Sequence, residues 1–245
     1  MNQNLIDLVA QGYTLFKDYK VGASLDVCTG CCMTKAQEES LISQSVQSIP
    51  FELLYDYNTA AKTELPEITE FKHFLPRFLD FTAQYKYLHH SVDIILNRFD
   101  YYQDSDWSQE ERDFLQAYSE ALFVASLNQY PLPDFEYIDS LLVMFSKVPI
   151  AMQQLLALWL ENTTQSSVLH FRDLMHYGLD SIVPDKLAGN FASKDFELLL
   201  ISWIKDPKTK AHFANQIEHI ILESNSNLEQ DDSQQLSTLY DLLQF

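Results

Sequence analysis

Residues 108–128 have the sequence SQEERDFLQAYSEALFVASLN, in which a helix start precedes two kinds of helical surface. Ser108 and Glu111 have the spacing of a capping box, in which each side chain accepts a hydrogen bond from the other residue's backbone N–H. The apolar side chains that follow recur on one helix face: Phe114, Leu115 and Tyr118. Residues 121–127 are then almost entirely apolar, which is typical of a helix in a protein interior. The stretch therefore predicts a long helix whose second half is buried.

The rest of the chain shows the same helical character. Thr34 and Gln37 form a second capping box, and apolar residues recur at helical spacing along most of the sequence. Only five glycines occur in 245 residues, which argues against β-hairpins, phosphate-binding loops and dinucleotide-binding folds. No stretch alternates between apolar and polar residues as a strand would. We therefore predict an all-α fold of about ten helices, arranged as an irregular helical array or a short α-solenoid.

No linker divides the chain, so we expect a single all-helical domain over residues 1–245. Within it, residues 1–50 are predicted to form an N-terminal helix, a loop that contains the cysteines, and a second helix. Residues 51–245 are predicted to form the main helical array.

The formal net charge is −19 at pH 7. Phosphate backbones and anionic lipid surfaces carry the same sign, so neither nucleic acid nor a membrane is an expected partner, whereas a basic protein would be attracted. No apolar run approaches the roughly 20 residues that cross a bilayer, and the amino terminus lacks a secretory signal. Three clustered cysteines also make a poor disulfide framework. These features predict a cytoplasmic protein with reduced thiols.

All three cysteines lie within five positions, at Cys28, Cys31 and Cys32. Cys28 and Cys31 have the spacing of a metal half-site, and Cys32 would be a third thiolate. A structural zinc site needs four ligands, so a His or a carboxylate from elsewhere would complete it. The same spacing also suits a redox pair. A third interpretation needs no cofactor: small cysteines pack into a turn in which Gly30 supplies a positive φ.

Two i, i+3 pairs resemble the carboxylate–histidine pairs of di-iron helical bundles. They are Glu70 with His73, and Asp173 with His176. Each pair lies far from the centre of the apolar stripe of its predicted helix. We therefore expect both pairs to face water rather than a metal.

Residues 100–113 combine many carboxylates with three aromatic side chains. Aromatic anchors inside an acidic rim suit a basic protein surface, because the aromatics supply buried area and the acids steer association. The candidate partner-binding residues are Asp100, Tyr101, Tyr102, Asp104, Asp106, Trp107, Glu110, Glu111 and Asp113. The alternative is an acidic helix start, since Asp and Glu favour the first turn of a helix.

The first third of the chain is similar to a family of uncharacterised bacterial proteins that share a Val-Cys-Thr-Gly-Cys-Cys-Met motif. The motif lies here at residues 27–33, and the similarity extends to residues 49–58, 60–61 and 71–77. Members of the family occur near Rhs-type and other polymorphic toxin genes. The resemblance therefore implies an immunity-type or accessory protein, and it assigns no functional residues.

No hydrolase, metalloprotease or P-loop motif occurs in the sequence, so no catalytic residue is predicted. The charge and the resemblance together favour a non-enzymatic cytoplasmic binding protein, an immunity protein that neutralises a basic toxin domain. The alternative is a metal- or thiol-dependent protein centred on Cys28, Cys31 and Cys32, with zinc as the metal.

Overall fold

A computed structural model describes residues 1–62, 67–183, 185–188, 191–222 and 230–244. Within these residues there are eleven α-helices and no strand, so the all-α prediction is confirmed. The helices are α1 (Gln3–Leu15), α2 (Lys35–Ser43), α3 (Phe51–Thr59), α4 (Ile68–Ala83), α5 (Gln109–Leu127), α6 (Ile138–Phe145), α7 (Met152–Glu161), α8 (Gln165–Asp173), α9 (Lys194–Lys205), α10 (Pro207–Leu222) and α11 (Gln230–Leu243). In the described residues, strand-like pairing is limited to one isolated antiparallel bridge between Leu179 and Leu187.

Both predicted capping boxes are present and fix the starts of α2 and α5. Thr34 Oγ1 accepts from the Gln37 backbone N–H at 3.2 Å, and Gln37 Oε1 accepts from the Thr34 N–H at 2.8 Å. Ser108 and Glu111 make the equivalent bonds at 3.2 and 2.7 Å. These bonds satisfy backbone donors that have no partner within the helix.

One predicted helix is absent. Apolar spacing at residues 91–99 predicts an α-helix, but the chain forms two short 3₁₀ turns there, Val92–Ile94 and Asn97–Tyr101. The buried amide of Asn58 donates to the carbonyls of Leu88 and Ile95, at 3.0 and 3.1 Å. The Ile95 carbonyl therefore accepts from a side chain of α3, whereas in a continuous helix it would accept from a backbone N–H of the same helix.

Two further predicted helix starts lie outside the described residues. They are the starts that the sequence predicts at Pro66 and at Leu228.

Internal packing groups the chain into two compact units. Unit 1 comprises Met1–Leu122 and Lys147–Ile150, and unit 2 comprises Phe123–Ser146 and Ala151–Phe245. The boundary falls within α5. The expectation of one domain stays a prediction.

The core of unit 1 is built on aromatic side chains of α4. Phe71, Phe74 and Phe78 have no exposed surface. The ring of Phe74 lies 4.7 Å from that of Tyr57, and Phe71 meets Phe99 edge-on at 4.9 Å. Both distances between ring centres lie in the range that aromatic pairs favour, and the edge-to-face geometry of the second pair is one of their preferred arrangements.

Trp107 belongs to this core, which corrects the expectation that it is a surface anchor for a partner. Its side chain is 3% exposed and its ring stacks on Phe99 at 4.9 Å. The ammonium group of Lys72 lies 4.6 Å from the centre of the indole ring. The indole also meets Phe71 of α4 edge-on at 6.3 Å, so this large aromatic surface in an acidic stretch is buried against α4.

Glu111 is also buried, which corrects its assignment to an exposed acidic rim. Its carboxylate is 2.8 Å from Lys72 Nζ, and it accepts from the hydroxyl of Tyr19 at 2.7 Å. Lys72 Nζ also donates to the backbone carbonyl of Asp106 at 2.7 Å. Burial raises the pKa of Glu111, but the hydrogen bonds from Lys72 and Ser108 outweigh it, so the pKa lies below its usual value.

Unit 2 has its own aromatic core. Phe171 and Phe213 stack at 3.6 Å, and Trp159 stacks on Trp203 at 5.3 Å. Phe123, from the apolar end of α5, meets Trp159 edge-on at 5.8 Å and has no exposed surface. The burial predicted for this end of α5 is therefore confirmed at Phe123.

Asp173 does not face water as its helical position predicted. It is 6% exposed, and it accepts from Arg172 Nε at 2.7 Å and from the Tyr130 hydroxyl at 2.9 Å. Arg172 also pairs with Asp232 of α11 at 2.6 Å. The expected pair with His176 is separated, because His176 is exposed and lies in a π-helical turn that continues α8 over Leu174–Gly178.

No helix in the described part of the chain combines the length and apolar character needed to cross a membrane.

The buried Lys72–Glu111 pair gives a stability prediction. Lys72→Met should reduce the free energy of unfolding by about 3–5 kcal/mol, because it leaves a buried carboxylate without its counter-ion. Lys205→Met is the matched control, since Lys205 pairs with Asp185 at 2.6 Å with both side chains 56% exposed. That control should cost about 1 kcal/mol or less in urea unfolding. Equal losses from the two variants would contradict the assignment of Lys72 to the core.

A candidate metal centre at three cysteines

The three cysteines lie together in the segment between α1 and α2. Cys28 Sγ is 3.3 Å from Cys31 Sγ, which is 3.5 Å from Cys32 Sγ. All three sulfur atoms lie within 4.8 Å of one another, and all three residues are free thiols. The cluster could therefore hold one metal ion.

A local turn brings the sulfur atoms together. The carbonyl of Cys28 accepts from the backbone N–H groups of Cys32, at 3.3 Å, and Met33, at 3.1 Å. Met33 is buried and fixes the end of the turn in the core of unit 1, while Cys31 and Cys32 stay exposed. The turn thus exposes thiols to solvent on a segment that Met33 anchors in the core.

The interpretation of the cysteines as packing residues fits this geometry poorly. Two of the three thiols are exposed, and Cys28 is half-buried. Gly30 does not have the expected positive φ, and the nearest heavy atom to an added Cβ would be Cys28 Sγ at 3.9 Å. The turn closes through the Cys28 carbonyl instead, so it does not require a left-handed residue.

Two buried carboxylates hold the segment that leads into the cysteines. Glu38 of α2 accepts from the backbone N–H of Leu25 at 2.7 Å. Glu70 of α4 accepts from the N–H of Asp26 at 3.0 and 3.3 Å. The N–H of Cys28 donates to the carbonyl of Ala61 at 2.8 Å. Three backbone donors in four residues are thus paired with groups outside the segment.

Glu70 is itself held by a chain of buried hydrogen bonds. The hydroxyl of Tyr57 donates to Glu70 at 2.8 Å and accepts from Arg98 Nη1 at 2.8 Å. Arg98 Nη2 also donates to the Tyr57 carbonyl at 2.9 Å. Burial raises the pKa of Glu70, against the hydrogen bonds from the Asp26 N–H and from Tyr57.

The expectation that Glu70 and His73 face water is wrong for Glu70, which is 7% exposed. Its carboxylate accepts from the backbone N–H of Asp26, while His73 Nδ1 lies 2.8 Å from the carbonyl of Tyr19. Glu70 lies roughly 100° from the centre of its apolar stripe, at the border between the buried and exposed faces. In the sequence, only this border position indicated that Glu70 could be buried, and nothing indicated the burial of Glu38.

Hydrogen bonds within the cluster give Cys28 and Cys31 different pKa values. The S–H of Cys31 and the backbone N–H groups of Gly30 and Cys31 lower the pKa of Cys28 to about 7. Hydrogen bonding to Cys28 and Cys32 raises the pKa of Cys31 to about 11. Cys28 therefore becomes a thiolate at lower pH than Cys31, and the thiolate is the form that binds metals.

The fourth ligand that sequence analysis expected is not found among the described residues. No further His, Cys, Asp or Glu of that part of the chain joins the three sulfur atoms in a metal-binding group. Within that part of the chain, the site therefore offers three ligands.

The predicted partner-binding residues fall into two groups. Those at the surface are Asp100, Tyr101, Asp104, Asp106, Glu110 and Asp113. Tyr102 is half-buried and stacks on Phe71 at 5.7 Å, and Trp107 and Glu111 are buried. Asp100 pairs with Lys147 at 3.1 Å, and Asp106 accepts from the Gln103 N–H at 2.8 Å. Partner binding by the exposed group stays a prediction.

Comparison of the chain with protein-family models, with curated proteins and with solved structures finds no match.

Proposed function

We propose that this protein binds one zinc ion through the thiolates of Cys28, Cys31 and Cys32. The observation that carries the proposal is the mutual distance of the three sulfur atoms, all within 4.8 Å. A tetrahedral zinc ion with Zn–S bonds of about 2.3 Å separates its sulfur ligands by roughly 3.8 Å. The Cys28–Cys31 and Cys31–Cys32 sulfur separations of 3.3 and 3.5 Å are slightly shorter than this value, so small rotations of the side chains suffice.

A metal accounts for the third cysteine better than a redox pair does. Thiol–disulfide exchange needs two cysteines, and Cys32 Sγ lies as close to Cys31 as a third ligand would. A thioredoxin-like motif also follows a strand, and the described residues contain none. Three thiolates form a soft ligand set of the kind that selects zinc over hard cations such as Mg²⁺.

The three ligands that the described part of the chain offers leave one coordination position for water or for an added ligand. Catalytic zinc sites have this arrangement, whereas structural sites are closed by a fourth protein ligand. The proposal therefore describes an accessible zinc ion on an exposed turn. It also implies a reducing compartment such as the cytoplasm, where thiols stay free for the metal.

The zinc proposal predicts one ion per chain in the reduced protein, measured by elemental analysis after dialysis. Cobalt in place of zinc should give a thiolate-to-metal charge-transfer band, whose intensity falls in Cys28→Ser, Cys31→Ser and Cys32→Ser. Thr29→Ser, between the ligands, is the control and should bind as the natural chain does.

Affinity should also fall as the pH is lowered, and more steeply below about 7, because protons compete with the metal at Cys31 throughout and then at Cys28 as well. Substoichiometric metal in the natural chain, or serine variants that bind the metal as tightly as the natural chain does, would rule out the site.

A second candidate function is binding of a basic protein surface, such as a toxin domain, by the exposed part of residues 100–113. The observation in its favour is the exposure of Tyr101, which is 46% exposed beside the exposed carboxylates of Asp100 and Asp104. An amphipathic ring within an acidic surface can serve as an interface anchor, the role first expected of Trp107.

Charge removal tests this second candidate against a basic partner captured from the native cell. Asp104→Asn, Glu110→Gln and Asp113→Asn together should slow association and flatten its salt dependence, measured by surface plasmon resonance. Three exposed acids elsewhere, changed as Asp7→Asn, Asp18→Asn and Glu39→Gln, make the matched control. Equal slowing by both triple variants would show that net charge acts without a specific surface.

A further inference from the structure

The sulfur atoms of the cysteine turn also restrict the geometry of an ion that all three can share. Cys31 Sγ lies 3.3 Å from the sulfur of Cys28 and 3.5 Å from that of Cys32. With bonds to sulfur of about 2.3 Å, a tetrahedral ion separates its sulfur ligands by roughly 3.8 Å, and a planar three-coordinate ion by roughly 4.0 Å. Both observed separations are shorter, and at this bond length they correspond to S–ion–S angles of roughly 90–100°.

Angles of this size are typical of a pyramidal three-coordinate ion, in which a lone pair of electrons occupies the fourth position. Such an ion needs three thiolates and no further ligand, and three is the number that the described part of the chain offers. The sulfur atoms of Cys28 and Cys32 lie within 4.8 Å of each other, and Cys32 is exposed. A change of its side-chain rotamer can therefore close the third side of the sulfur triangle.

The charge around the turn favours a trivalent ion over a divalent one. Three thiolates carry three negative charges, so a divalent ion leaves one charge in excess and a trivalent ion leaves none. Glu38 and Glu70 place two carboxylates against the segment that precedes Cys28, and the formal net charge of the chain is −19. These groups repel a site that keeps a negative charge, but not a neutral one.

We propose that Cys28, Cys31 and Cys32 bind trivalent arsenic, which enters as arsenous acid. The three sulfur atoms form the base of a pyramid that has arsenic at its apex. Trivalent arsenic is a soft ion with this coordination, so thiolates are the protein ligands that suit it best. The inference rests on the same three ligands as the proposed zinc site, but it does not require that zinc binds there.

Binding is a ligand exchange in which nothing is oxidised or reduced. Each thiol gives its proton to one hydroxide of arsenous acid, As(OH)₃, and that hydroxide leaves as water. The sulfur atom takes its place on arsenic. Three As–O bonds break, three As–S bonds form, three water molecules are released, and arsenic stays trivalent.

Titration of the reduced, metal-free chain with arsenite tests the proposal by counting thiols. Arsenite should add one arsenic per chain, detected in the mass of the intact protein, and it should protect all three free cysteines from a thiol reagent. Phenylarsine oxide is the matched probe, because its phenyl group occupies one valence of arsenic and leaves two for sulfur. It should therefore leave one cysteine reactive.

Cys32→Ser retains the closest pair, Cys28 and Cys31, and removes the third ligand. It should bind arsenite roughly tenfold or more weakly than the natural chain, because the third bond forms within one molecule at a high effective concentration. Its affinity for phenylarsine oxide should change by less than about twofold, which shows that the remaining pair is still in place. Thr29→Ser, between the ligands, is the control and should bind both arsenicals as the natural chain does.

Two outcomes would overturn the proposal: a reactive cysteine in the natural chain at saturating arsenite, or equal affinities of the natural chain and Cys32→Ser for arsenite. The zinc measurement is separate from this titration. A chain that binds zinc but leaves a cysteine reactive with arsenite would keep the zinc site and lose this inference. A chain that binds no zinc, but in which one arsenic protects three cysteines, would support this inference and remove the zinc site.

Discussion

Backbone groups in the turns between helices need hydrogen-bond partners, and charged side chains on the helices provide many of them. An α-helix satisfies its own backbone, but the described connections have no sheet ladder to satisfy theirs. In unit 1, Glu38 and Glu70 accept from Leu25 and Asp26, and Lys72 donates to the Asp106 carbonyl. In unit 2, Glu197 accepts from the Leu187 N–H at 2.9 Å. Each such backbone group left unpaired would cost about 1–3 kcal/mol, and the same hydrogen bonds offset part of the cost of burying the charged side chains.

This constraint explains which features could be predicted from the sequence. Capping boxes and apolar periodicity depend on neighbours in the chain, so the starts of α2 and α5 and the buried end of α5 were predictable. A charged residue on the polar face of a helix has the same pattern whether it meets water or a turn from elsewhere. Glu70, Glu111 and Asp173 were therefore expected at the surface and are buried. Trp107 differs from an exposed anchor only through tertiary contacts with Phe99 and Lys72.

The candidate site likewise combines features that the sequence predicts with features that it does not. The spacing of Cys28, Cys31 and Cys32 predicted their proximity, because three residues within five positions cannot lie far apart. Nothing local in the sequence predicted that Glu38 and Glu70 would hold the segment before them. These contacts fix the turn through groups on α2 and α4, with Tyr57 and Arg98 behind Glu70. A turn held in this way needs little ordering when a metal binds, so more of the binding energy appears as affinity.

These hydrogen bonds imply that the cysteine turn is organised by helix carboxylates before any metal binds. Hydrogen exchange of the Leu25, Asp26 and Cys28 amides in the reduced, metal-free protein tests it most directly. All three amides donate hydrogen bonds here, so they should exchange far more slowly than in an unstructured peptide. Exchange at the rate of an unstructured peptide, with protection only after zinc is added, would show that the metal organises the turn and would contradict the account.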